Sequence, residues 1–456
     1  MRAALLALAA AAAAMAGPAA AGPVLMISID GLRPADVIDA ERRGLKLPNL
    51  RRFITEGAYA EGVIGVLPTV TYPSHTTLIT GASPARHGIV GNNTFDPMQI
   101  NHGGWYWYAS DIKVPTLWSA AAKAGRSVAS VHWPVSVGAA GVTWNLPQIW
   151  RTGHEDDAKL VAALSTPGLL GALEAKLGEA YPAGIDEEIA GDEKRGRFAA
   201  GLIAAHRPFF ATVYLTALDH EQHAEGAGTP QAHAVLEKID AIVGKLVAAE
   251  QATHPDGVVA VVSDHGFETI SRETNLYRAF IDAGLIKLDA DGKVAEWEAM
   301  PWPSGGSAAI VVQRPDDAML VRRAGTLLER LKGDPANGIA AIADRAAIAR
   351  MGANPQASFY VDFKPGFTAG GFATASAGLN AESKYKGMHG YFPQAAAMRS
   401  TFMLMGPGVA QGRNLGEIDM RAIAPTLASL LGITLEGAEM KALPICMSAP
   451  GRSPPC

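Results

Sequence analysis

The chain has 456 residues, 48% of them hydrophobic and 18% charged, with a formal net charge of −5. That length suits one large core with an insertion, or two unequal domains. The acidic balance excludes a basic nucleic-acid scaffold, while a small nucleotide stays admissible as a substrate wherever a metal supplies positive charge.

The chain opens with MRAALLALAAAAAAMAGPAAAGPV. Arg2, an Ala/Leu-rich run and the small residues ending at Ala21 form the pattern of a secretory signal, so residues 1–21 are expected to be removed and the mature protein to begin near Gly22. Ala16 is a second candidate cleavage point. The apolar run is too short and Ala-rich for a membrane span, and no later segment reaches membrane length. The expected mature protein is exported, secreted or periplasmic, with no membrane span.

Apolar runs at Val24–Ile29, Ser127–His132, Phe209–Leu215, Val258–Val262 and Thr401–Met405 are expected as strands. Being apolar on both faces, they fit the interior of a largely parallel sheet. Helical patterns at Leu117–Ala124, Pro230–Ala249, Ala318–Leu331 and Met420–Leu431 alternate with them, which indicates a layered α/β architecture. The stretch 285–383, with PWPSGG and FKPGFTAGGFATASAG, reads as an inserted cap between core segments 22–284 and 384–445. Cys446 and Cys456 lie in the tail 446–456, as a small-loop disulfide or as two free thiols.

Acidic and histidine residues fall where strands end. ISID places Asp30 past the first strand, VYLTALDHEQH places Asp219 and His223 after another, and AVVSDHG places Asp264 and His265 after a third. Ligands of open α/β sheets bind outside the carboxyl ends of the strands, so these residues converge on one edge. Taken singly each has a plainer explanation: Asp30-Gly31 as a turn, Asp219 and His223 as a solvated pair. Together with His389 in KGMHGYF they supply three carboxylates and three imidazoles, a mixture that suits zinc better than an all-oxygen cation site. Six ligands divide into two sets of three, each leaving its metal an open position, and two such metals suit phosphoryl displacement.

A nucleophile is expected in LPTVTYPSHTTLITG, where Thr71 precedes what reads as the first turns of a helix. A helix N-terminus and a metal both favour an ionised hydroxyl there. Thr69, Thr76, Thr77 and Thr80 share the segment, and residue chemistry alone does not choose among them.

The blocks SIDGLRP, PTVTYPSHTTLITGASPARHGIVGNNTFDP, DHEQH, SDHG and HGY, in this order, resemble the nucleotide pyrophosphatase/phosphodiesterase (type I phosphodiesterase) family of the alkaline phosphatase superfamily. The resemblance implies an alkaline-phosphatase-like three-layer core with a largely parallel central sheet, helices on both faces and an inserted cap subdomain. It selects Thr71 as the nucleophile. It implies two Zn2+, one on Asp219, His223 and His389, the other on Asp30, Asp264 and His265 with the Thr71 oxygen. Asn92 matches the residue whose amide holds a non-bridging phosphate oxygen. Tyr72 and Trp150 match aromatics that sandwich a nucleobase. Val70 stands where many relatives carry Lys, and HGYFP replaces the more usual polar residues after His-Gly-Tyr.

Phosphomonoesterases with a Thr nucleophile often carry a Lys-x-Arg pair further along the chain. TWNLPQIWRTGHEDD has Arg151 but no such pair, and it turns acidic at Glu155, Asp156 and Asp157. The expected substrate is therefore a small-molecule phosphodiester or nucleotide pyrophosphate that releases a nucleoside 5′-monophosphate. The alternatives are an alkaline phosphomonoesterase, a phosphonate hydrolase, or a metal-stabilised binding protein without turnover. A sulfatase lacks support, because no Cys/Ser-x-Pro-x-Arg motif surrounds the nucleophile.

Overall fold

The computed structural model describes residues 21–101 and 104–445. Nearly all of the expected leader and both cysteines lie outside the described residues. An eight-stranded sheet forms the centre, in the order Arg413–Asn414, Ala58–Tyr59, Phe402–Met405, Val258–Val262, Val24–Ile29, Phe210–Leu215, Val128–Val131, Trp144–Leu146. The strands from Val258–Val262 to Trp144–Leu146 run parallel, and Phe402–Met405 joins antiparallel beside Val258–Val262.

The Val24–Ile29, Phe210–Leu215 and Val258–Val262 strands are buried along their whole length because successive side chains feed two different cores. Leu25, Ile27, Val213 and Val261 pack one way, against Phe198, Leu202, Ile239, Val243 and Leu246 of helices Ile189–His206 and Pro230–Thr253. Val24, Met26, Tyr214 and Ala260 pack the other way, against Leu78, Ile79, Trp118 and Leu427 of helices Thr71–Thr80, Leu117–Lys123 and Ile423–Leu431. The result is the expected three-layer α/β core.

The expected strand and helix positions are reproduced to within a few residues, with the Met420 segment starting as a 3-10 turn before its helix. The helix Ile189–His206 has no counterpart among the sequence expectations. Its Gly191 and Gly196 look like helix breakers, but they allow close packing: a Cβ on Gly196 would crowd Ile242 of the neighbouring helix.

The inserted unit contains the antiparallel sheet Ala299–Ser304, Ser307–Val312, Phe359–Phe363, Ile339–Asp344 with helix Ala318–Gly333. Its core includes Leu276 and Phe280 of helix Leu276–Asp282. The strand Glu268–Thr274 pairs with Gly366–Ala369, Asn380–Glu382 and Gly387–Met388. The apolar face of helix Leu276–Asp282, which precedes the expected 285–383, packs against residues of that stretch.

Helix Pro48–Glu56 has no side-chain cap of its own. Buried Asp240, on Pro230–Thr253, accepts from the backbone N–H groups of Asn49 (3.1 Å) and Leu50 (2.7 Å) instead. Asp240→Ala should cost about 1–3 kcal/mol by stranding these donors. Urea denaturation checks this, and a loss below about 0.5 kcal/mol would contradict the capping role.

Candidate active site

Four chain segments deliver the candidate ligands to one end of the sheet. Asp30 directly follows its strand, with its N–H bonded to Leu215 O at 2.9 Å. Asp219 and His223 sit one turn apart on helix Ala217–Glu225, immediately after the neighbouring strand. Asp264 and His265 follow Val258–Val262, and His389 follows the short strand Gly387–Met388.

Glycine follows three of these ligands, and at two of them the reason is direct. Gly390 has φ +91, and a Cβ there would overlap the Ser304 carbonyl of the insertion. Gly266 lies so close to the Ala397 carbonyl that a Cβ would overlap it. At His265 and His389 the next residue thus meets neighbouring main chain too closely to carry a side chain.

The six side chains form two groups, Asp219–His223–His389 and Asp30–Asp264–His265, with the ligand atoms of each within 4.8 Å of one another. His223 Nε2 lies 3.3 Å and His389 Nε2 3.6 Å from Asp219. His265 Nε2 lies 3.3 Å from Asp30 and 3.2 Å from Asp264. The groups are adjacent, since the His265 and His389 rings stack 3.6 Å apart and only 9° from parallel.

Each histidine is aimed by its other nitrogen. Nδ1 of His223 lies 3.0 Å from Gly387 O, that of His389 3.1 Å from Thr69 O, and that of His265 3.2 Å from Gly266 O. A carbonyl can only accept, so Nδ1 carries the proton and Nε2 presents its lone pair inward. The Tyr214 hydroxyl donates to Asp30 Oδ2, which leaves Oδ1 unpartnered. Asp219 Oδ1, Asp264 Oδ2 and His265 Nε2 are likewise buried without a hydrogen-bond partner.

The electrostatics suit divalent cations. Burial, then repulsion from Asp219 and Asp264, holds Asp30 well above the usual carboxylate range. Burial, then Asp264 and Glu187, does the same to Asp219, and burial pushes Asp264 up to about 7. Burial lowers His223 to about 4 and depresses His265 and His389 strongly. None of the three carboxylates pairs with a Lys or Arg among the described residues. Acceptor-only carboxylates and neutral imidazoles, clustered and unpaired, are the donor set of a divalent cation.

Thr71 is the first residue of helix Thr71–Thr80, whose N-cap, Val70, offers no side-chain cap. Tyr72 N–H donates to Asn92 Oδ1 at 2.9 Å, so the Asn92 amide NH2 faces away from the helix. Buried His75 bridges Thr71 O (2.8 Å) and Ser28 Oγ (2.8 Å), tying the Thr71 turn to the strand that precedes Asp30. Thr71, Asn92, Asp219, His223, His389 and Trp150 all line one cavity of about 400 Å³.

Tyr72 is a correction. It is fully buried against Ile89 and Val135 and does not line the cavity. Residue 72 on the first helical turn points into the protein, where its ring meets Trp105 edge-on at 5.2 Å. Trp105 instead lines the cavity and stacks on Trp150, centroids 4.0 Å apart and 10° from parallel, so no base fits between Tyr72 and Trp150. The sequence reading missed Trp105, Trp302, Tyr385, Glu187 and His220 on the cavity wall. Only His220, beside Asp219, carried a local signal.

A metal-free preparation should lose stability as the pH rises from about 6.5 to about 8. The unfolded carboxylates titrate near 3.9, so the folded state holds more protons in this window and stability falls with pH. The depressed histidines contribute the opposite slope only below their unfolded value of about 6.5. With saturating zinc the fall should vanish. Calorimetric melting across that range decides, and a metal-free melting temperature that holds level contradicts the charge assignment.

A family model described as type I phosphodiesterase / nucleotide pyrophosphatase matches residues 24–392. Rat ectonucleotide pyrophosphatase/phosphodiesterase family member 3 is 26% identical over 261 residues, 55% of this chain and 25% of the rat protein. Human bis(5′-adenosyl)-triphosphatase is 26% identical over 257 residues, 55% of this chain and 48% of that protein. The chain thus spans half or less of the length of these relatives. Among solved structures, murine ectonucleotide pyrophosphatase/phosphodiesterase 5 superposes with a TM-score of 0.64 at 19% identity, covering 91% of this chain and 96% of the other. An inactive variant of that murine protein in complex with AMP gives a TM-score of 0.64 at 18% identity over the same shares. With the family match spanning most of its length, this chain belongs to the type I phosphodiesterase / nucleotide pyrophosphatase family.

Proposed function

We propose that the protein is an exported two-zinc hydrolase that cleaves phosphodiester or pyrophosphate bonds through Thr71 and releases nucleoside 5′-monophosphates. The observation that carries this reading is the Asp219–His223–His389 group lining one cavity with Thr71, with the Asp30–Asp264–His265 group directly behind it across the His265–His389 stack. Human bis(5′-adenosyl)-triphosphatase and the AMP complex of the murine relative support a nucleotide substrate. Export rests on the leader pattern of residues 1–21.

Asp219, His223 and His389 would hold one zinc, and Asp30, Asp264 and His265 the other. Zinc bound there would act as a Lewis acid, neutralising charge on phosphate oxygens and favouring the ionised Thr71 hydroxyl. The Thr71 oxygen attacks phosphorus, the alcohol or phosphate leaving group departs with the bond pair, and a phospho-threonine remains. Water then attacks the same phosphorus and returns the Thr71 hydroxyl. Asn92, fixed through its Oδ1 to the helix start, offers its amide N–H to a non-bridging oxygen as charge builds there. The open face of the Trp105–Trp150 stack takes the nucleobase, a contact contributing about 1–3 kcal/mol with little base selectivity.

No Lys or Arg is found among the described residues lining the cavity, which favours a diester over a dianionic monoester. Thr71→Ala should lower kcat by at least about 10³-fold while leaving zinc content intact. Steady-state kinetics with metal analysis tests this, and a variant that turns over normally rules out Thr71 as nucleophile. Trp150→Ala should raise KM for p-nitrophenyl thymidine 5′-monophosphate about 5- to 100-fold, and bis-p-nitrophenyl phosphate far less. Equal losses on both substrates would remove the stacking role.

A further inference from the structure

We infer that Glu187 is a specificity-determining residue that disfavours a second negative charge on the substrate phosphate. This deepens the phosphate-ester reading of the site and rests on it. Glu187 lines the same cavity as Thr71, Asn92 and Asp219, and its side chain is 20% exposed. Its ion-pair candidate among the described residues is the half-exposed His220, with Oε2 3.9 Å from Nδ1, too far for a hydrogen bond. Glu187 shares the cavity lining with Asp219, His223 and Thr71, so its carboxylate faces the same space that a phosphate would enter.

Glu187 is held in place by buried architecture. Arg195 and Asp192 form an ion pair at 2.7 Å with both side chains fully buried. Arg195 donates to the carbonyls of Ile185 and Asp186, the two residues before Glu187. Asp192 accepts from the N–H groups of Thr216 (3.1 Å) and Ala217 (2.8 Å), which lead into the helix of Asp219 and His223. One ion pair therefore anchors both the Glu187 loop and the ligand helix. An unanchored surface carboxylate would swing away from an incoming anion. Here Arg195 fixes the backbone that leads into Glu187, so the residue as a whole stays at the cavity wall and only its side-chain torsions are free.

A phosphodiester carries one negative charge, whereas a monoester gains a second with a pKa near 6. In a partly desolvated cavity the repulsion between carboxylate and phosphate is only weakly screened. The lack of Lys and Arg among the described lining residues and the placed carboxylate therefore act together: one withholds attraction from the extra charge, the other opposes it.

The test uses the full zinc-loaded chain at about pH 8.5, where both Glu187 and the second monoester oxygen are ionised. In Glu187→Gln the ratio of kcat/KM for bis-p-nitrophenyl phosphate over p-nitrophenyl phosphate should fall about tenfold. Calorimetry should show inorganic phosphate binding about tenfold tighter, with monoanionic dimethyl phosphate changing much less. Glu187→Asp, which keeps the charge, should stay near the parent on both measures. Failure of the parent to turn over either ester sinks the hydrolase reading, and phosphate affinity then decides this inference alone. A folded Glu187→Gln that binds phosphate no more tightly than the parent overturns it.

Discussion

Burying three carboxylates in one place is the constraint around which the rest of this structure is arranged. Asp30, Asp219 and Asp264 meet at the end of a sheet that is apolar on both faces, and no Lys or Arg pairs with them among the described residues. Such a cluster is costly unless protons or cations neutralise it. Three imidazoles kept neutral by burial complete the donor sets. The core supplies the rigidity for this: both cores grip the same strands, so the strand ends cannot spread apart to relieve the repulsion.

Around that centre, backbone groups do most of the aiming. Carbonyls of Thr69, Gly266 and Gly387 fix the protonated nitrogen of each histidine, and each belongs to a different segment of the chain. The His-Gly pairs bring main chain against main chain, Gly390 against Ser304 and Gly266 against Ala397. His389 is thereby docked against the inserted unit, which also provides Trp302 and Ser304 to the cavity wall. The insertion thus contributes to the cavity wall.

The substrate end follows a different logic from the metal end. Its surfaces are aromatic and acidic, with Trp105 stacked on Trp150, Trp302 and Tyr385 nearby, and Glu187 held by the Arg195–Asp192 pair. Such walls suit a substrate whose phosphate bears little charge and whose organic arms carry flat apolar surface.

Much was legible in the residues themselves. Apolar runs announced the central strands, because a strand buried on both faces must be apolar throughout. Asp and His residues just beyond those runs announced the candidate metal-binding groups, because parallel strands deliver their ends to one edge. Thr71 was singled out only by family likeness, since several threonines share its segment. Tertiary structure decided the rest. Which way Tyr72 points depends on the angle at which its helix leaves the cavity, and no local pattern encodes that angle. Helix Ile189–His206 is stabilised at Gly196 by a neighbour distant in sequence. Glu187 and Trp105 reach the cavity through loops whose paths are set by long-range contacts, the buried Arg195 among them. Ligand identity is a local property of residue type and strand end. The shape and charge of the substrate pocket depend on how distant segments pack, which the sequence alone does not reveal.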